Sequence, residues 1–218
     1  MSYKVDLHTH SIASPDGGLM LAHYRYFLHN HLLDYIAVTD HGTIDFALEA
    51  HKEFGEQIIV GQEIMTNQGE IIGLYLHKPI KDGQEIMTAV RHIKEQGGLV
   101  YVPHPFETVR KGISEETLGA IISDVDIVEA ANGRAMFQNK RKLASEWATT
   151  SGKAMAASSD AHGRFGWGYT YSSVVHKPAK TTLVKLLADA TYATGTVGMG
   201  IVYPKLNRLK KKMGRSRA

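Results

Sequence analysis

The chain has 218 residues, of which 43% are hydrophobic and 22% are charged, and these fractions are those of an ordinary globular protein. It contains no cysteine, so disulfides, thiolate metal ligands and a cysteine nucleophile are excluded. No apolar run approaches the roughly 20 residues that a bilayer crossing needs. A strand-like pattern begins almost at once, so we expect no signal peptide. We therefore expect an intracellular, cytoplasmic protein with no membrane span.

Positive charge is concentrated at the C-terminal end of the chain. The formal net charge is +3, but residues 205–218 contain seven Lys or Arg and no acidic residue. Without them, 18 basic and 22 acidic residues remain, so the rest of the chain carries about −4. We expect one domain over residues 1–204, followed by a flexible basic tail over residues 205–218.

Predicted strands and helices alternate along nearly the whole chain. The strands are predicted over 3–10, 35–41, 58–63, 70–76, 99–105, 126–132, 154–162 and 172–175. The helices are predicted over 19–33, 44–54, 84–96, 114–123, 136–151 and 180–190. Several strands are almost continuously apolar, which is typical of strands buried on both faces of a parallel sheet. The alternation predicts an α/β fold, and an open doubly wound sheet and a barrel are both compatible with it.

Polar groups that can bind metals end six of these apolar runs. They are His8, His10, Asp40, His41, Glu63, His104, Asn132, Asp160 and His162. In parallel α/β folds, functional sites are built at the carboxyl ends of the strands. His8 and His10 are two residues apart on a strand and share one face, as Asp160 and His162 do. Asp40 and His41 are adjacent and would diverge, so only one of them is expected to be a direct ligand.

The ordered motifs DLHTHS, PDGG, TDHG, GQE, VPHP, EAANGR and SSDAHG, between about residue 4 and residue 175, resemble the PHP (polymerase and histidinol phosphatase) family. The resemblance implies an α/β fold of a particular type, a distorted seven-stranded (β/α)7 barrel. It also implies a cluster of two or three divalent metal ions and the hydrolysis of phosphate esters.

The resemblance also implies which residues bind the ions. One metal would take His8, His10, Glu63 and Asp160, and a second would share Glu63 and take His104. A third would take Asp16, His41 and His162. Some family members supply a further histidine to the second metal from the sixth strand. Asn132 stands there in this chain, which weakens or opens the second site.

The expected chemistry is attack on phosphorus by a hydroxide held on a metal ion. Five imidazoles and three carboxylates without sulfur suit Zn, Mn or Fe better than Mg or Ca. Arg134 is the first candidate for a phosphate clamp, because a guanidinium matches phosphate in a bidentate manner. Arg164 is the second candidate, and Asn132 is also assigned to substrate binding. Asp40 or a further metal-bound water is the candidate general acid.

Two more residues are given roles near the predicted site. Asp6 is expected to orient an imidazole, because it shares strand parity with His8 and His10. Trp167 follows the last predicted ligand and is a candidate for lining the mouth of the site and stacking a base.

These features predict a metal-dependent phosphoric ester hydrolase acting on a small phosphomonoester, such as a nucleotide. Asn132 argues against the histidinol phosphatase branch, and protein tyrosine phosphatase activity also occurs among PHP relatives. The alternative is an exonuclease or phosphodiesterase that binds nucleic acid through the basic tail. A second alternative is a metal-binding interaction domain without catalysis, but such relatives tend to lose ligands and all eight are present here.

Overall fold

The computed structural model describes residues 2–136 and 138–215. Nine strands form one sheet in the order β7-β6-β5-β4-β3-β2-β1-β8-β9. The strands are β1 Tyr3–Asp6, β2 Tyr35–Val38, β3 Ile58–Thr66, β4 Gly69–Leu74, β5 Leu99–Val102, β6 Ile127–Asn132, β7 Ala154–Ser158, β8 Thr170–Val174 and β9 Thr191–Thr194.

Strands β1–β7 form a nearly closed barrel. A parallel bridge between Thr9 and Ala161 joins the segments just beyond β1 and β7, and the His10 amide donates to the Ala161 carbonyl over 2.9 Å. The predicted α/β barrel is therefore confirmed. Two further strands extend it: β8 pairs with β1, and β9 pairs with β8, both antiparallel. Strand β9 was not predicted, because its four residues are only half-buried or exposed and form no apolar run.

Strand β4 runs opposite to the other six strands of the barrel. It pairs antiparallel with both β3 and β5, whereas the remaining neighbours within the barrel pair in parallel. Residues 67 and 68 form the tight turn between β3 and β4. The start of β4 therefore lies at the same mouth of the barrel as the carboxyl ends of the six parallel strands.

The six predicted helices are present, each shorter than its predicted range. They are α1 Leu21–His29, α2 Asp45–Phe54, α3 Ile86–Glu95, α4 Glu115–Ala120, α5 Arg141–Thr150 and α6 Leu183–Ala188. Ser114 is the N-cap of α4, since its hydroxyl accepts a hydrogen bond from the Thr117 amide over 3.1 Å. Among the described residues, no helix is long and apolar enough to cross a membrane.

Two apolar clusters lie on opposite faces of the sheet. Tyr35 and Ala37 belong to one cluster, and the alternate residues Ile36 and Val38 belong to the other. The second cluster also contains buried side chains from each of the helices α1 to α5. The strands read as continuously apolar because both faces are covered.

The described part of the C-terminal segment differs from the predicted flexible tail, and residues 216–218 of that prediction lie outside the described residues. Residues Tyr203–Arg215 form a seventh helix, α7, which contacts the loop after β1. The Asn207 amide donates to the carbonyls of Asp16 (2.8 Å) and His162 (2.9 Å), and Lys211 Nζ donates to those of Ile12 (2.8 Å) and Gly17 (2.9 Å). The helix is attached largely through polar contacts to backbone carbonyls, and for this reason its apolar pattern did not predict the attachment.

Candidate metal centre

The structure brings all eight predicted metal ligands together at one mouth of the barrel. Most follow the parallel strands, and Asp16 lies in the loop between β1 and α1. Seven of them are buried, and the side chain of His41 is 18% exposed. The eight residues are His8, His10, Asp16, His41, Glu63, His104, Asp160 and His162.

Glu63 lies at the middle of this group. Its Oε2 is 3.2 Å from His8 Nε2, 3.1 Å from His10 Nε2 and 3.5 Å from His41 Nε2. Its other oxygen, Oε1, lies 3.2 Å from His104 Nε2. The two oxygens therefore face different imidazoles, as a carboxylate that bridges two ions must do.

The spacing of the donor atoms fits a metal ion. Donor atoms held about 2.0–2.2 Å from one ion in tetrahedral geometry lie about 3.4 Å from each other. The Nε2 atoms of His8 and His10 are 3.1 Å apart, and Asp160 Oδ1 is 3.6 Å and 3.5 Å from them. Two imidazole lone pairs at this separation repel each other unless a proton or a cation lies between them. The group could thus hold divalent ions.

The charges of the buried groups also favour a cation. Burial by itself would lower the pKa of His10, but its contacts to Asp160 and Glu63 raise the pKa to about 10. Burial, followed by the positive charges of His10 and Arg134, lowers the pKa of His162 to about 3. His162 is therefore neutral at pH 7 and keeps a lone pair available for a metal.

Hydrogen bonds aim two of the imidazoles at the centre. His8 Nδ1 lies 3.1 Å from Glu129 Oε1, and with the proton on Nδ1 its Nε2 presents a lone pair to Glu63 and His10. His162 Nδ1 lies 2.9 Å from the Asp160 carbonyl, which leaves its Nε2 3.5 Å from Asp16 Oδ2. Both rings are held in the orientation that metal-binding histidines adopt.

Two arginines contact the outer oxygen of Asp160. Arg110 Nη1 donates to Asp160 Oδ2 over 2.7 Å, and Arg134 Nη1 donates to it over 3.3 Å. Burial would raise the pKa of Asp160, but the positive charges of Arg134 and His8 hold it well below its usual range. Asp160 is therefore ionised, with Oδ1 facing the imidazoles and Oδ2 facing the guanidinium groups.

A cavity of about 750 Å³ lies over these ligands. Four cationic side chains line it together with the acidic groups: Arg110, Lys111, Arg134 and Arg208. Arg208 belongs to helix α7, and its Nη2 donates to Asp16 Oδ2 over 2.6 Å. The volume is that of a small-molecule site.

Of the predicted substrate-binding residues, the structure places only Arg134 at this cavity. Arg164 lies in a separate groove on the aromatic side of the protein, with its guanidinium 5.2 Å from the centre of the Phe165 ring. The structure does not support Arg164 as a phosphate clamp, because the chain turns away from the mouth after His162.

Asn132 does not have the predicted role in substrate binding. Its Oδ1 accepts hydrogen bonds from Arg110 Nη1 (2.6 Å) and the Arg134 amide (2.8 Å), and its Nδ2 donates to Glu129 Oε2 over 2.8 Å. It does not line the main cavity. Asn132 therefore positions the arginines, and its amide has no group left over for a substrate.

Asp40 is 1% exposed and does not line the cavity. Its Oδ1 accepts from the Ser11 amide over 2.6 Å, and its Oδ2 accepts from the Ser11 hydroxyl. Burial raises the pKa of Asp40, but both oxygens anchor the loop after β1. The geometry does not support Asp40 as the general acid.

The interpretations of Asp6 and Trp167 are also corrected. Trp167 is 4% exposed, stacks on Phe27 with ring centres 4.0 Å apart and donates from Nε1 to Asp6 Oδ2 over 3.0 Å. Asp6 also accepts from the Ser159 amide over 2.9 Å. Strand β1 ends at Asp6, so the parity with His8 is lost. Asp6 contacts Trp167 in the core, and Glu129 orients the imidazole of His8.

Sequence reasoning missed three residues of the site: Glu70 and Glu129, which are buried, and Arg110, which is half-buried. Glu129 could have been found, because it is an acid in the middle of an apolar strand. Glu70, at the start of β4, is 7% exposed, and its Oε2 lies 3.7 Å from His104 Nε2. Burial, and then the negative charges of Glu63 and Asp160, raise the pKa of Glu70 to about 9.

Comparison with known proteins finds two relatives by sequence, both from Methanocaldococcus jannaschii. The uncharacterized protein MJ0417 is 34% identical over 173 residues, which is 73% of this chain and 65% of the relative. The uncharacterized protein MJ1587 is 36% identical over 110 residues, which is 49% of this chain and 64% of the relative. The matched segments thus span slightly less than two thirds of both relatives. No family model matches the chain.

Three solved structures resemble the fold. A two-domain protein of Bacteroides vulgatus, described as containing a predicted PHP-like metal-dependent phosphoesterase, has a TM-score of 0.72 at 20% identity, covering 89% of this chain and 65% of that one. PsfC from Pseudomonas syringae has a TM-score of 0.69 at 14% identity, covering 96% and 98%. Endonuclease Q, in complex with a 27-mer duplex substrate with an abasic lesion, has a TM-score of 0.52 at 12% identity, covering 88% and 58%.

These similarities define the class of fold. The chain has the fold of PHP-like metal-dependent phosphoesterases, and the resemblance that the ordered motifs indicate is confirmed at the level of the fold.

Proposed function

We propose that the protein is a metal-dependent phosphoric ester hydrolase that acts on a small phosphomonoester. The observation that carries this proposal is the position of Glu63, whose two oxygens face separate imidazoles 3.1–3.5 Å away. The eight predicted residues would hold two or three divalent ions, and their nitrogen and oxygen donors suit Zn, Mn or Fe.

The side chains around the cavity would bind and orient the phosphate. When bound, divalent ions at such a site lower the pKa of coordinated water towards about 7 and offset the charge that develops on phosphorus. In this proposal Arg134 grips the phosphate, and its support is that Nη1 lies beside Asp160 at the cavity wall. Its Nε is buried and has no hydrogen-bond partner among the described residues. Asn132 and Asp160 hold its position.

The shape of the cavity favours a small substrate. A volume of about 750 Å³ suits a phosphorylated metabolite or a nucleotide. Helix α7 lines one side of the cavity through Pro204 and Arg208, so the approach is narrower than an open groove would be.

The second candidate is a phosphodiesterase or nuclease. The fold similarity to Endonuclease Q, a protein solved with a DNA duplex, favours it. So does helix α7, on which Lys205, Lys210 and Lys212 are exposed and could contact a nucleic acid backbone.

The test compares p-nitrophenyl phosphate with bis-p-nitrophenyl phosphate, using the full chain loaded with Mn, Zn or Fe. We expect turnover of the monoester that chelation abolishes and metal restores. Turnover of the diester alone would favour the second candidate.

Two variants make the test specific to the site. His10→Ala should lose both metal and turnover, whereas His77→Ala, which removes an exposed histidine elsewhere, should lose neither. Metal-loaded protein that turns over neither compound, nor a panel of phosphorylated metabolites, would contradict the proposal and favour an interaction domain.

A further inference from the structure

We propose that Glu70 is a ligand of the second metal ion and takes the place of the sixth-strand histidine that Asn132 replaces. This inference rests on the proposed function, because it assigns a ligand within the same metal centre. It adds a residue from the antiparallel strand β4, which the family resemblance did not supply.

The register of the sheet brings Glu70 to the centre. Glu63 pairs with Ile72, and Met65 pairs with Glu70, so Glu70 is the diagonal neighbour of Glu63 on the adjacent strand. Diagonal neighbours on one face of an antiparallel pair lie within reach of long side chains. One donor atom each of Glu63, Glu70 and His104 lies within 4.8 Å of the other two.

The carboxylate of Glu70 has no hydrogen-bond partner in the described part of the chain. Glu70 is 7% exposed. It lies beside the carboxylate of Glu63. A buried carboxylate in this position is costly unless a cation is close to it. The nearby imidazole of His104, 3.7 Å away, completes a donor set for that cation.

The opposite side of the second site is already occupied by a guanidinium. Arg110 Nη1 donates to Asn132 Oδ1 over 2.6 Å and to Asp160 Oδ2 over 2.7 Å. A bidentate pair fixes the guanidinium, in which Nε donates to Glu107 Oε2 over 2.9 Å and Nη2 donates to Glu107 Oε1 over 2.7 Å. A metal ion placed next to Asn132 would meet this positive charge. The ligands that remain for the second ion are Glu63, His104 and Glu70.

This donor set indicates which ion is preferred. Two carboxylates and one imidazole form a harder site than two imidazoles and one carboxylate would. Carboxylate oxygens suit Mn²⁺, whereas imidazole nitrogens suit Zn²⁺ and Fe²⁺. The carboxylate of Glu70 therefore makes the second position more favourable for Mn²⁺ than a second imidazole would.

The experiment measures metal binding of Glu70→Gln in the full chain. Mn²⁺ is titrated into metal-free protein and followed by calorimetry and by metal analysis after dialysis. We expect the weaker class of sites to lose at least about tenfold in affinity, which is the lower end of what altering groups around a metal site costs. The absorption spectrum of the Co²⁺-loaded protein should change as well.

Two control variants separate ligation from general damage. Asp82→Asn removes another carboxylate from the wall of the same cavity and should leave Mn²⁺ binding unchanged. Glu95→Gln removes a 61% exposed carboxylate from helix α3, away from the centre, and should keep the same number of bound ions.

The outcomes distinguish the two proposals. If Glu70→Gln binds as many ions as the unchanged protein, with the same affinity, the proposed role of Glu70 is overturned. Hydrolysis by the unchanged protein would in that case still support the proposed function. An unchanged protein that binds no divalent ion overturns both. If Glu70→Gln does not fold, Glu70→Asp is measured instead, and undiminished Mn²⁺ affinity in that variant counts against the proposal.

Discussion

Glu129 shows how one buried side chain can set the properties of the centre without belonging to it. Tyr101 donates to its Oε1 over 2.8 Å, and the His104 amide donates to its Oε2 over 2.7 Å. These bonds fix the position of the carboxylate, and its Oε1 accepts a hydrogen bond from His8 Nδ1 when that nitrogen carries the proton. Partners of this kind orient the ring and raise its basicity towards a metal.

We predict that Glu129→Gln lowers metal affinity by about 10- to 100-fold, because a neutral amide polarises the His8 ring less than a carboxylate does. Calorimetric titration of the metal-free protein measures this loss. Glu146→Gln, at a position on α5 with a 61% exposed side chain, is the control and should bind normally. Equal affinities in the two variants would show that Glu129 does not support His8.

A second prediction concerns the two arginines proposed from the sequence. Arg134→Ala should weaken inhibition by inorganic phosphate by about 10- to 100-fold, the range expected for hydrogen bonds to a charged group. Arg164→Ala should leave inhibition unchanged, since Arg164 lies in a different groove. The inhibition constant of phosphate is measured for the unchanged protein and for both variants. An unchanged constant in Arg134→Ala would contradict the role of Arg134 in phosphate binding.

Residue types and their positions predicted much of the site but not all of it. Seven of the eight metal-binding candidates stood out because acids and histidines at strand ends are unusual as a set, and Asp16 was assigned only through the resemblance to the PHP family. Arg110 gave no such signal, since it is a basic residue in a loop and its contacts with Asn132 and Asp160 depend on the folded chain. Asp40 could not be separated from His41 by pattern alone.

At the scale of elements, the reversal of β4 is what sequence reasoning lacked. The search for site residues at carboxyl ends of strands assumes that all strands run in parallel. Thr66 to Gly69 form a short turn that makes β3 and β4 a hairpin, and a tight turn between two apolar runs is a hairpin signal. This hairpin signal predicts that the start of β4, including Glu70, lies at the mouth of the barrel.

Helix α7 shows the converse case, where composition was misleading. A run of Lys and Arg without acids is usually a solvated tail. Here Gly163 leaves room for the helix, since a Cβ at that position would lie 2.5 Å from the Tyr203 ring. Lys211 and Asn207 then meet backbone carbonyls of the loop after β1 and of His162. These contacts are visible only once the barrel has formed.

At the scale of the whole molecule, the last helix and the first loop of the chain jointly form one wall of the cavity. We predict that Arg208→Ala raises KM for a phosphomonoester about two- to fivefold, a modest effect because the Arg208 side chain is 64% exposed. Steady-state kinetics of the metal-loaded protein measure the change.

The matched control for Arg208 is Lys212→Ala, which removes an exposed charge from the same helix. It should leave KM unchanged. If the two variants behave alike, the effect comes from the overall charge of the helix, and the specific place of Arg208 beside Asp16 is not important.

The barrel closes where its first and seventh strands meet. Thr9 and Ala161 form the bridge between the first and the seventh strand, and each is flanked on both sides by proposed ligands: His8 and His10, Asp160 and His162. Ions held by these ligands would join the first strand to the seventh, and would thus connect parts of the chain that lie about 150 residues apart. Metal binding and closure of the barrel would then be thermodynamically coupled. Removal of the ions would therefore also weaken the contact between the first and the seventh strand.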